Sequence, residues 1–180
     1  MFKQTIKRDS FLKPVSRDHG LLLVLVQRLQ KAAQASKEDR ISLASEIRNR
    51  LAELSIQYIS DEEQSLALLN FDTTLAEEIS QEHKKIRDSL EAFSRLSDEE
   101  LETEEFIELA SLIEDHVRWD EKAVFPYIQR EITDCERQIL EERSANLEAG
   151  RSRPIQRLHH SITLKKDNGE AQTCSCADSL

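Results

Sequence analysis

The stretch HVRWDEKAVFP, His116 to Pro126, sets an imidazole and a carboxylate four residues apart. In a helix that spacing puts His116 and Asp120 on one face, a turn apart. Tyr58 and Glu62 repeat it inside YISDEEQSL, and His19 and His83 lie in SRDHGLLL and EHKKIR. Imidazole nitrogens and carboxylate oxygens together suit a divalent ion such as iron or manganese, and two carboxylates can bridge a pair of ions. Each of these residues interrupts an apolar stripe, where a carboxylate without a partner costs several kcal/mol. One histidine on an apolar face is most simply a hydrogen-bonded core residue. Three histidines with two carboxylates favour a shared cation.

Those residues need helices to bring them together, and the apolar spacing supplies four. The first runs from Pro14 and Ser16 to about Ala35, with the stripe His19, Leu22, Leu23, Val26, Leu29 and Ala33. The second extends to about Leu69 through Ile47, Leu51, Leu54, Tyr58, Glu62 and Leu66. A loop over Asn70 to Thr74 precedes the third, which carries Leu75, Ile79, His83, Ile86, Leu90 and Phe93. After the acidic run SDEELETEE, the fourth carries Phe106, Leu109, Ile113, His116, Asp120, Val124 and Tyr127, with Pro126 expected to kink it or end its regular part. Four amphipathic helices with short connections predict an all-α, up-down-up-down antiparallel bundle. In that topology the first halves of helices 1 and 3 share an end with the second halves of helices 2 and 4. His19, His83, Glu62, His116 and Asp120 can therefore all approach one level.

Composition agrees with this reading. The chain has 180 residues, 3 glycines, 3 prolines and 33% charged residues, as a helical protein would. Its formal net charge of -10 disfavours nucleic acid and anionic membrane surfaces as partners. MFKQTIKRDS has no apolar signal core and no run is long enough to span a bilayer, so a cytoplasmic location is expected. The bundle with its N-terminal arm is assigned to 1–132, a short polar accessory helix to 133–150, and a flexible tail to 151–180. Cys174 and Cys176 in that tail are too few to close a four-ligand metal site. No phosphate loop, nucleophile elbow or HExxH motif is present.

The four segments around His19, Glu62, His83 and His116, in this order and ending in Phe125-Pro126, resemble the ligand helices of hemerythrin-like (HHE cation-binding) proteins over roughly residues 10–132. The resemblance implies a non-haem iron centre, with two ions expected and one as the alternative; manganese and zinc suit the same ligands. His19, His83 and His116 would be terminal ligands and Glu62 and Asp120 bridging ones, with Glu121 a substitute for Asp120. Glu63, next to the stripe, is expected to be solvated or to lie behind a ligand, with direct ligation the alternative. Where the family has a histidine four residues before the helix 2 carboxylate, this chain has Tyr58, expected to pack or hydrogen-bond beside the centre, with ligation as a phenolate the alternative. The function implied is binding or sensing of oxygen, nitric oxide or peroxide, or iron handling under oxidative stress, with weak peroxidase or catalase-like turnover compatible with it. The alternative is a degenerate bundle with one metal or none, acting as an interaction or regulatory domain; no protein partner is indicated.

Overall fold

The structure, a computed structural model, describes residues 8–67, 69 and 73–150, with their side chains except at 45, 49, 51–56 and 150. Every secondary-structure element among the described residues is helical. One 3-10 turn, Ser10–Leu12, leads into α1 (Lys13–Ala33), where Pro14 takes a first-turn position whose N–H would have no intrahelical partner anyway. α2 (Lys37–Leu66) starts after Ser36, whose hydroxyl accepts from the Asp39 N–H and so satisfies one of the free donors of the helix start. α3 (Thr73–Arg95) and α4 (Thr103–Trp119) follow. Glu104 and Glu105 in the first turn of α4 complement the positive end of its dipole. A π turn (Asp120–Val124), α5 (Phe125–Glu131) and α6 (Asp134–Gly150) complete the chain of elements.

α1 packs on α2 and α4, and α3 packs on the same two helices. Polar contacts show which ends meet. Thr103, opening α4, donates to the Ala33 carbonyl at the finish of α1 (3.2 Å) and accepts from Arg40 near the start of α2 (2.8 Å). Arg48 of α2 donates to the Leu96 carbonyl just beyond α3 (2.6 Å). Between the helices the core is apolar, with Leu25, Leu29, Ile47, Phe93, Phe106 and Ile113 buried.

Three sequence expectations are corrected. The α1 stripe is broader than expected: Leu21 and Leu25 are buried while Leu23 is only partly covered, because α1 is flanked on two sides, by α2 and α4. α2 finishes at Leu66, three residues before the expected end. The fourth helix loses its regular winding at Asp120, six residues ahead of Pro126. There the Phe125 N–H bonds the Asp120 carbonyl, five residues back. Proline has no N–H, and in regular α geometry its ring would collide with the Lys122 carbonyl four residues earlier. A wider turn relieves that collision and lets the helix continue as α5 instead of breaking.

The accessory helix α6 lies along the N-terminal segment and α1. Arg137 pairs with Asp9, Arg17 with Glu148 (2.8 Å), and Ser10 donates to Glu141. Leu140 is its one buried hydrophobic residue among those described. Among the described residues no helix is long and apolar enough to cross a membrane. Leu51 and Leu54 fall among the undescribed side chains. Part of the expected 70–74 loop, the 151–180 tail and the Cys174/Cys176 pair also lie outside the described residues.

Candidate metal centre

Where α1, α2, α3 and the finish of α4 meet, five polar side chains are almost fully buried: His19, Glu62, His83, His116 and Asp120. Helical spacing explains their inward aim. Each occupies a core position in the three-and-four pattern of its helix, so the same geometry that buries Ile79 and Ile86 buries His83 between them. One ligand-capable atom from each of Glu62, His83 and His116 lies within 4.8 Å of the other two. His83 Nε2 is 3.2 Å from Glu62 Oε2, and His116 Nε2 is 3.1 Å from Asp120 Oδ2. Neither approach has hydrogen-bond alignment. Both oxygens of Glu62, Nε2 of His83, both nitrogens of His116 and Oδ1 of Asp120 are buried with no hydrogen-bond partner.

Two carboxylates adjacent to the stripes hold imidazoles from outside. Glu63 accepts from His83 Nδ1 (3.1 Å) and from Arg87 (2.8 Å). Glu121 accepts from His19 Nδ1 (2.8 Å) and from Ser16 (2.7 Å), and pairs with Arg8. An ionised carboxylate can only accept, so each fixes a proton on Nδ1 and aims Nε2 inward. Consecutive residues thus divide the labour, Glu62 and Asp120 facing the centre and Glu63 and Glu121 its periphery. Glu121 is therefore placed behind His19 rather than in the position of Asp120.

His19 and Tyr58 form a distinct half. The Tyr58 hydroxyl donates to Asp120 Oδ2 (2.9 Å) and is in short hydrogen-bond contact with His19 Nε2. Phe125 stacks flat on the His19 ring at 5.2 Å. Arg8 and Arg87 carry no signal in the sequence, since neither belongs to an apolar stripe. Ser16 is detectable, being three residues from His19 and on the same face.

Electrostatics at the centre records two carboxylates crowded together. Burial and the neighbouring Glu62 push Asp120 up. Burial would also raise Glu62, but His83 and His116 outweigh it and hold Glu62 below the usual carboxylate range. Burial lowers His116, leaving a neutral imidazole with a lone pair. For His19, burial is outweighed by hydrogen bonding to Asp120 and Glu121, which raises it to about 9. Burial, then Glu62 and Asp120, push Tyr58 well above the usual tyrosine value. The His19 contribution has a definite sign. A folded pKa above the unfolded value of about 6.5 stabilises the native state fully below pH 6.5 and is lost as pH rises through about 9. Metal-free protein should therefore melt at progressively lower temperature from pH 7 to pH 9.5, and His19→Gln should flatten that slope in a calorimetric pH series. An unchanged slope would reject the His19 assignment.

The centre also borders a cavity of about 20 Å³ lined by Glu62 with Phe11, Leu12, Val15, Phe125 and Leu140. It has room for about one water-sized molecule, and apart from Glu62 and Ser65 its wall is apolar. Leu140 of α6 forms part of its wall.

An all-helical fold carrying buried imidazoles and carboxylates at one level defines a cation-binding helical protein. The chain belongs to the hemerythrin HHE cation binding domain family, which it matches over residues 11–128. Neither the curated proteins nor the solved structures compared with it gave a match.

Proposed function

We propose that this protein holds non-haem iron in the core of an up-down-up-down antiparallel four-helix bundle and uses it to bind or sense a small neutral molecule such as oxygen, nitric oxide or peroxide. One observation carries the metal reading. Six buried ligand-capable atoms of Glu62, His83, His116 and Asp120 have no hydrogen-bond partner, and among the described residues no lysine or arginine neutralises Glu62 or Asp120. A core that had lost its metal would turn these carboxylates outward or pair them. The mixed nitrogen and oxygen donor set suits iron, and family membership favours it.

Glu62, His83, His116 and Asp120 would hold the ion, and when bound it supplies reversible binding or redox chemistry toward the small molecule. The surrounding residues have roles of their own. Glu63 orients His83 and strengthens it as a donor, Glu121 fixes His19 at the edge of the centre, and Arg87 and Arg8 hold those carboxylates in turn. The apolar cavity beside Glu62 favours a small uncharged guest and disfavours bulk water and anions. The Tyr58 hydroxyl, fixed on Asp120, is a hydrogen-bond donor at the edge of the centre.

The test is metal content by mass spectrometry on protein loaded with ferrous iron without air and then desalted, followed by absorption spectra as oxygen or nitric oxide is admitted. Retained iron with a new visible band on admission of either gas is the expected result. Protein that emerges free of metal would overturn the reading.

A further inference from the structure

We infer that Tyr58 occupies the place of a second cation, so that this chain holds a single ion, on Glu62, His83 and His116 together with Oδ1 of Asp120. The inference rests on the metal-binding reading above and concerns how many ions the centre takes. The carrying observation is how hydrogen-bond satisfaction divides the centre. The unpartnered atoms belong to Glu62, His83 and His116, with only Oδ1 of Asp120 beyond them. On the opposite side the Tyr58 hydroxyl, His19 Nε2 and Asp120 Oδ2 are engaged with one another. The Tyr58 hydroxyl contacts both His19 Nε2 and Asp120 Oδ2, which are themselves 3.4 Å apart, and so takes up the position beside them that a shared ion would need.

The bonding pattern follows from donor counting. The phenol has one proton, and it goes to Asp120 Oδ2. His19 Nδ1 already donates to Glu121, so the proton on Nε2 is directed at the phenol oxygen and, at 3.4 Å, at Asp120 Oδ2. Neither nitrogen of His19 then offers a lone pair to a metal. Buried polar networks that are fully satisfied resist replacement, whereas groups left without partners carry the full desolvation cost that a cation would remove. The first ion therefore gains what the second cannot. Only one imidazole faces the second position in any case, because the residue one turn before Glu62 is a phenol.

Metal counting on the full chain, loaded anaerobically with ferrous iron and separately with manganous ion, decides the matter. The wild type should retain one ion per chain, and the manganese form should show the six-line resonance of an isolated ion. His19→Gln should still retain one. Tyr58→His, which replaces the bridging phenol with an imidazole, should raise the count to two and replace the six-line spectrum with that of a coupled pair. Two ions in the wild type, or metal lost from a folded His19→Gln, would overturn the single-ion assignment while leaving the metal-binding reading intact. A folded Tyr58→His that still holds one would remove Tyr58 as the cause. No metal in any form would instead defeat the metal-binding reading on which the inference stands.

Discussion

His116→Ala should empty the centre and bring the melting temperature of iron-loaded protein down to that of the metal-free form. His116 is buried and its pKa is lowered by that burial, and neither ring nitrogen has a hydrogen bond. It is thus neutral and unengaged, the state a ligand needs. Removing it leaves one imidazole and carboxylates for an ion that needs more donors. Metal present at about a thousand times its dissociation constant stabilises a native state by about 4 kcal/mol, or about 8–16 °C for a chain of this size. That increment should vanish. The metal-free protein should respond differently. Its loss is the packing of the ring against His83, at 5.0 Å, and Tyr58, at 6.1 Å. Relief from two unpartnered buried nitrogens offsets part of this, leaving a cost of about 2 kcal/mol or less. Calorimetry with and without iron separates the two effects. A variant that keeps its metal and melts like the parent would remove His116 from the ligand set.

The α4 region shows what a sequence displays and what it withholds. The i, i+4 spacing of His116 and Asp120 marks both as inward-facing, because helical geometry alone decides it. The π turn beginning at Asp120 is not visible that way. It reflects competition between the missing N–H of Pro126 and continued packing of the helix, which keeps Val124 at its end and Phe125 and Ile128 beyond it buried. A proline in a sequence signals trouble for a helix without saying whether the helix will stop, bend or widen. The peripheral carboxylates are a second example. Periodicity separates Glu62 from Glu63 and Asp120 from Glu121, since neighbours on a helix point about 100° apart. It says nothing of which side chain from another helix the outer member meets. That Glu63 reaches His83 of α3, and Glu121 reaches His19 of α1, depends on bundle geometry. Tyr58 is the third example. Its departure from a histidine is legible in the residue order, but its position between His19 and Asp120 depends on side chains from three chain segments packing together.

Phe106→Ala should be the most damaging single change to the frame and should leave the centre's metal count untouched. Phe106 is fully buried near the start of α4 and meets Phe93 of α3 edge-on, with ring centroids 5.1 Å apart at 90°. Truncating a buried phenylalanine costs about 3–5 kcal/mol through lost transfer energy and the cavity left behind. That is a large part of the total stability of a typical domain. Phe106 and His116 are ten residues apart on one helix, a rise of about 15 Å, which is beyond the range at which substitutions usually couple. In metal-free protein the double variant should therefore equal the sum of the single ones within about 0.5 kcal/mol. With iron present, Phe106→Ala should retain the full metal-dependent rise in melting temperature, which His116→Ala lacks. Denaturant unfolding of the two single variants and the double, each with and without iron, would show this. Coupling well above about 0.5 kcal/mol in the metal-free series would mean that α4 does not transmit its packing locally, and that the centre depends on the far end of the bundle for its shape.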